Sequence, residues 1–135
     1  MFNEKSKQMK KLAINGLGRI GRATLKIILD RKDAELVAVN DLVPVSNLEY
    51  LLKYDTVYGK YERVVKSEEG KFIIDGKEIK VFNEKDPSNL PWDQLKIDTV
   101  FESTGIFTKK EELQKHIDAG AKKVILSAPA KSEGI

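Results

Sequence analysis

Apolar residues recur along this chain in two periods, and the alternation between them predicts an α/β plan. Lys11-Leu12-Ala13-Ile14 is a short apolar run, the signature of a buried strand. From Arg19 to Arg31 the period lengthens. Ile20, Ala23, Ile27 and Ile28, widened by Leu25 and Leu29, form a helical stripe expected to end near Lys32-Asp33. Leu36-Val37-Ala38-Val39, within residues 35–40, is again a run typical of a strand covered on both faces. Strand, helix and strand within about 30 residues make a right-handed crossover unit.

Beyond it, Ser46-Asn47 reads as a cap, since a short side-chain oxygen can accept from a free backbone amide. The helix it opens would carry Leu48, Leu51 and Leu52. Residues 54–61 are aromatic and irregular, and Tyr50, Tyr54, Tyr58 and Tyr61 read as packing residues. Phe72-Ile73-Ile74 and Ile79-Lys80-Val81-Phe82 flank Asp75-Gly76, a hairpin signal because both turn positions tolerate positive φ. Asp86-Pro87 through Pro91-Trp92 reads as a loop, with Trp92 as a packing anchor. The parallel plan resumes at Thr99-Val100-Phe101 and stops at Ser103-Thr104-Gly105. Thr108 is expected to cap a helix over Glu111, Glu112, Leu113 and Ile117 that closes at Gly120. Val124-Ile125-Leu126 is a further strand, followed by Ser127-Ala128-Pro129. Residues 1–8 are polar and patternless, an expected flexible tail ahead of one domain over 9–135.

Composition narrows the function more than the fold. The 135 residues are 41% hydrophobic and 33% charged, as in ordinary globular domains. No apolar stretch approaches the ~20 residues of a membrane span, and the N-terminus lacks the apolar core of a secretory signal, so a cytoplasmic protein without a membrane partner is expected. A net charge of +3, dispersed, permits an anionic ligand without arguing for nucleic acid. The absence of cysteine excludes disulfides, thiolate metal sites and cysteine-based covalent catalysis in this chain. No catalytic residue and no metal ligand set is expected.

The chemistry concentrates in the first turn. Gly16-Leu17-Gly18-Arg19-Ile20-Gly21 lies between an apolar run and a helical pattern, with Asp41 twenty residues past the third glycine at the end of the second run. The first glycine permits a tight turn, the second lets backbone approach a pyrophosphate, and the third lets helix pack on sheet. Free amides at the helix start favour the anion. Asp41 can accept from ribose hydroxyls of the adenosine half and would repel a 2′-phosphate, which argues for NAD over NADP. The bland alternatives are a structural glycine turn and a solvated acid. Ser103-Thr104-Gly105 and Ser127-Ala128-Pro129 follow strands and read equally as cleft lining or as a cap and a loop. His116, the single histidine, lies mid-helix without an acid or nucleophile pattern and reads as a surface or packing residue. Glu102 reads as an isolated acid, and Lys109-Lys110 and Lys122-Lys123 as solvated faces.

Together these residues resemble the N-terminal half of the glyceraldehyde-3-phosphate dehydrogenase family. The resemblance runs from about Lys10 to Ile135. It is carried by Ile14-Asn15-Gly16-Leu17-Gly18-Arg19-Ile20-Gly21-Arg22, Val39-Asn40-Asp41-Leu42, Lys53-Tyr54-Asp55-Thr56-Val57-Tyr58-Gly59, Asp86-Pro87, Glu102-Ser103-Thr104-Gly105, 119–124 and Ser127-Ala128-Pro129. Leu17 departs from the phenylalanine common there, and Tyr58 stands where histidine is frequent. The resemblance implies an NAD-binding, Rossmann-type, doubly wound parallel sheet with an antiparallel hairpin insert, from a homotetrameric glycolytic enzyme. It places Asn15, Gly16, Gly18 and Gly21 in the phosphate turn and the backbone of Arg19 and Ile20 over the pyrophosphate. It further implies Asp41 on the adenosine ribose, Lys85 near the adenine, Thr104 and Gly105 bordering the cofactor, and Ser127 toward the nicotinamide.

The family's chemistry does not come with it. Its cysteine nucleophile, its histidine and its second-domain sites for glyceraldehyde 3-phosphate and phosphate have no counterpart here. The chain is therefore expected to be a cofactor-binding piece of the dehydrogenase, not catalytically competent alone. The alternative is a stand-alone, non-catalytic nucleotide-binding or interaction module; a Ser-Cys-Thr-Thr-Asn segment downstream would distinguish the two. Without the family's closing helix, one apolar sheet face would be uncovered, and self-association through it is expected.

Overall fold

A computed structural model describes residues 9–54, 63–105 and 110–126. The proposed Thr108 cap, Tyr58, Tyr61, Lys109, Ser127 and the segment 1–8 lie outside them.

The predicted crossover is present. Strand β1 (Lys10–Asn15) leads into helix α1 (Arg19–Leu29), which returns to β2 (Ala34–Asn40). Helix α2 (Val45–Lys53) follows. Then come β3 (Val65–Glu68), β4 (Lys71–Ile74) and β5 (Lys77–Phe82). A 3-10 turn (Pro87–Asn89) and a one-turn helix α3 (Trp92–Leu95) precede β6 (Thr99–Glu102), α4 (Lys110–Asp118) and β7 (Lys123–Leu126). The seven strands form one sheet in the order β3-β4-β5-β2-β1-β6-β7. β5, β2, β1, β6 and β7 run parallel, and β3-β4-β5 are antiparallel. The chain is a doubly wound α/β domain with an antiparallel extension at one edge. Asp75 (φ 51°) and Gly76 (φ 85°) both occupy the left-handed region, as a type I′ turn requires. The hairpin extends the parallel plan rather than interrupting it, because β5 also pairs with β2.

Two cores lie on opposite faces of the sheet. α1 packs on β1 and β2, and α2 on β3 and β4. Beneath them Leu12, Ile14, Leu25, Ile28, Leu36, Val39, Leu48, Leu52, Phe72 and Ile79 form a wholly apolar cluster. Each fully buried leucine or isoleucine there contributes roughly 2 kcal/mol. On the other face, Ala13, Ala38, Val100, Leu90, Ile97 and Trp92 form a second cluster. A register shift between β1 and β2 after Leu12 sets Ala13 beside Ala38. Their small side chains leave room for Trp92, which is fully buried.

Several expectations need correction. α1 ends at Leu29, with Asp30 as its cap, and its buried residues are Gly21, Leu25 and Ile28. Ile20 and Ile27 are exposed, because at 100° per residue each lies one step off the line through 21, 25 and 28. Ser46 and Asn47 do not cap α2. The helix starts at Val45 behind Pro44, whose carbonyl accepts from Asn47 and Leu48 N–H. Of its leucines, Leu48 and Leu52 are buried, while Leu51 is on the exposed side. Tyr50 and Tyr54 are also exposed and contact each other, with ring centroids 5.0 Å apart, rather than filling the core. The proline-rich stretch is not all loop. Asp86 caps the 3-10 turn by accepting from Ser88 N–H, and Pro91 precedes α3. β3 has no sequence signal: Val65-Lys66-Ser67-Glu68 carries one buried apolar residue, too little to show a strand pattern.

Candidate functional site

The loops after β1 and β6 meet at the carboxyl ends of the parallel strands, beside the central strand where the winding reverses. Ligands bind open α/β sheets at such a point. Gly16 turns the chain there at φ +98°. A Cβ on Gly16 would lie 2.8 Å from the Thr104 backbone, so only glycine lets the two loops touch. A Cβ on Gly21 would lie 1.9 Å from the Gly16 carbonyl oxygen, so the third glycine seats the first turn of α1 against the loop. Gly18 differs. Nothing lies within 4 Å of where its Cβ would be, so the space beside it is open. It begins α1 with no side-chain cap and no acid in the first turn. The outward-facing helix amides and the positive end of the helix dipole are thus left available to an anion.

These loops border a cavity of about 740 Å³, of the size that holds a large organic ligand. Asn15, Gly16, Gly18, Asp41, Lys85 and Thr104, all singled out from the sequence, line it. Arg19, Ile20 and Gly21 follow in the adjoining helical turn, and Gly105 follows Thr104. Asp41 is bound to the glycine turn itself. Its Oδ2 accepts from Leu17 N–H at 2.7 Å and its Oδ1 from Val43 N–H at 2.9 Å. Each oxygen retains a lone pair for a ligand hydroxyl. Asn83 Nδ2 donates to the Asp41 carbonyl at 2.7 Å and holds the backbone at that corner. At the rim, Lys115 Nζ lies 3.9 Å from Asp86. The hydroxyl and amide of Ser88 hold the Asp86 carboxyl below its ordinary range.

Under the cavity lies a polar row whose members no local sequence pattern connects. Asn40, Asn15 and Glu102 are in register on three adjacent strands, β2, β1 and β6, and all are buried. Asn40 Nδ2 donates to Asn15 Oδ1 at 2.7 Å, and Asn15 Nδ2 donates to Glu102 Oε1 at 2.8 Å. Asn40 also clamps the backbone of Glu84, accepting from its N–H at 2.7 Å and donating to its carbonyl at 2.8 Å. Glu102 is not isolated. Its Oε2 accepts from Thr104 N–H at 3.1 Å and from the Thr104 hydroxyl, and its Oε1 lies 2.7 Å from His116 Nε2. His116 is fully buried, which realises its packing role and not its surface one. Trp92 Nε1 lies 3.0 Å from His116 Nδ1. An indole only donates, so Nδ1 accepts and Nε2 carries the proton to Glu102: the imidazole is neutral. A buried carboxylate is tolerable only when densely hydrogen-bonded, and among the described residues Glu102 receives donors from Asn15, His116 and both the amide and hydroxyl of Thr104. The sequence offered one signal for this row: Asn15 and Asn40 each stand immediately before a site loop.

A family profile described as "Glyceraldehyde 3-phosphate dehydrogenase, NAD binding domain" matches residues 10–110. The chain is 54% identical over 129 residues to glyceraldehyde-3-phosphate dehydrogenase of Thermotoga maritima, covering 94% of the chain and 39% of that protein. It is 51% identical over 125 residues to that of Geobacillus stearothermophilus, covering 93% and 37%. To glyceraldehyde-3-phosphate dehydrogenase 1 of Saccharomyces cerevisiae it is 50% identical over 125 residues, covering 92% and 38%. The chain thus spans about two fifths of the length of the curated relatives it matches. The open helix terminus, the close-packed glycines and the acid at the end of β2 fit a dinucleotide, and with these likenesses they establish that the chain belongs to the glyceraldehyde-3-phosphate dehydrogenase family, as its NAD-binding domain.

Proposed function

We propose that this chain is the cofactor module of a phosphorylating, NAD-dependent glyceraldehyde-3-phosphate dehydrogenase, with residues 9–135 as the module. The observation that carries the reading is the glycine turn. Gly16 touches Thr104, Gly21 seats α1, and the space at Gly18 stays open before an uncapped helix start. In this reading the turn formed by Asn15, Gly16, Gly18, Arg19, Ile20 and Gly21 takes the pyrophosphate on its backbone amides. Asp41 accepts from the adenosine ribose, Lys85 lies beside the adenine, and Thr104 and Gly105 border the cofactor. Ser127, outside the described residues, is assigned to the nicotinamide side by the family resemblance alone. When bound, NAD supplies the hydride acceptor for aldehyde oxidation. The whole protein would take glyceraldehyde 3-phosphate and phosphate as substrates, assemble as a homotetramer and work in the cytoplasm. Among the described residues no helix is long and apolar enough to cross a membrane.

Isothermal titration of the chain with NAD tests this. Heat of binding is expected, with an affinity below that of a complete dehydrogenase; no heat at millimolar NAD rejects the reading. Asp41→Ala is expected to weaken NAD about tenfold, the loss of roughly 1.4 kcal/mol of charge-assisted hydrogen bonding. It should also narrow the preference for NAD over NADP. The preference is the diagnostic quantity, because a loosened turn weakens both cofactors alike. An unchanged ratio removes Asp41 from its role.

A further inference from the structure

Every cofactor loop starts beside a member of the buried row or, at Glu84, beside a backbone that the row holds. Asn15 precedes Gly16, Asn40 precedes Asp41, Glu84 precedes Lys85, and Glu102 stands two residues before Thr104. The row therefore ties together four segments that reach the cavity from four places in the chain. We propose that Glu102 is the positioning residue of the cofactor site: its carboxylate sets the direction of every hydrogen bond in the row and clamps Thr104 against Gly16. This rests on the reading of the cavity as the NAD cleft.

A carboxylate only accepts. Asn15 must therefore turn its NH₂ toward Glu102, which leaves its carbonyl oxygen for the Asn40 NH₂. Asn40 then has its own carbonyl oxygen free for Glu84 N–H. On the other side, the indole of Trp92 makes His116 a donor toward Glu102. Both Glu102 oxygens thus face donors: Asn15 and His116 on Oε1, the Thr104 amide and hydroxyl on Oε2. A glutamine has the same shape, but its NH₂ must point one way or the other. Turned toward Oε1 it opposes Asn15 and His116; turned toward Oε2 it opposes the Thr104 amide. The site needs the charge, not merely a side chain of that length. The Thr104 end matters most for the cofactor, since Gly16 is packed directly on the Thr104 backbone.

Titration of the 135-residue chain with NAD, alongside thermal melts, tests the proposal in four variants. Thr104→Ser keeps the hydroxyl and should retain clearly more NAD affinity than Thr104→Val. Thr104→Val keeps the shape but loses the hydroxyl, and should weaken NAD about tenfold, as should Glu102→Gln. The double variant Glu102→Gln/Thr104→Val should bind little more weakly than Glu102→Gln alone, because both changes loosen the same hold of Glu102 on Thr104. The proposal is overturned if Thr104→Val binds like the unaltered chain, if Thr104→Ser is the variant that weakens, or if the two losses multiply. Should Glu102→Gln fail to fold, the serine and valine pair decides alone. An unaltered chain that gives no heat with NAD overturns the cofactor reading itself, an outcome distinct from normal binding with indifferent variants.

Discussion

The two faces of the sheet hold together by different means. Under α1 and α2 the buried core is made by leucine, isoleucine, valine and phenylalanine, with a polar contact from Ser67 to Glu49 only at the edge of α2. Under α3 and α4 the sheet presents Ala13 and Ala38, then Asn40, Asn15 and Glu102, topped by Trp92 and His116. The first face is stabilised by area removed from water, which is non-directional. The second contains buried polar groups that are stable only in one hydrogen-bonding arrangement. Geometry at the cofactor loops thus comes from the polar face, and bulk stability comes from the apolar one.

That division can be tested by separating stability from NAD affinity. The largest expected effect is on the apolar face. Leu25→Ala, at a fully buried position of α1, should cost about 3 kcal/mol, read as a lowered melting temperature. NAD affinity measured well below the melt should change little. A large loss of affinity there would mean that both faces set the site. Next comes Trp92→Phe, which keeps most of the packing but leaves His116 Nδ1 without its indole donor. It should cost roughly 1–2 kcal/mol and, unlike Leu25→Ala, weaken NAD severalfold. A variant that melts lower but binds normally would confine His116 to packing.

The smallest effect belongs to a carboxylate at the opposite end of the sheet. Asp98 Oδ2 accepts from Lys11 N–H at 2.8 Å, and this bond, with Lys122 nearby, lowers its pKa from the ordinary 3.8. The folded-state value lies below the unfolded one. Its contribution is therefore complete above about pH 4 and is lost as pH falls through the folded value. Asp98→Asn should lower stability slightly at neutral pH and flatten the acid side of a stability–pH profile, without touching NAD binding. An unaltered acid limb would show that the bond contributes nothing.

The apolar face was legible in the sequence because its residues repeat. Leu12 and Ile14 on β1, Leu36 and Val39 on β2, and the pair about Asp75-Gly76 follow strand and turn patterns that neighbours in sequence reveal. The glycine turn was legible for a similar reason: its three glycines and Asp41 are spaced by one crossover unit. Local pattern misleads where periodicity leaves a choice of phase, as at Ile20 and Ile27. It also misleads where local chemistry offers two solutions, as at Ser46-Asn47, whose capping role passed to the Pro44 carbonyl.

The sequence by itself determined the fold class, the hairpin and the position of the dinucleotide turn, because each depends on residues within a few positions of one another. Only the tertiary structure decided what Glu102 and His116 are for. Glu102 bonds Asn15 across 87 residues and His116 across 14, and Asn40 reaches Glu84 across 44. No local pattern encodes such partners; sheet register does, by setting the ends of β2, β1 and β6 side by side. A glutamate after a strand is an ordinary solvated acid until two other segments and its own following turn bring it their donors.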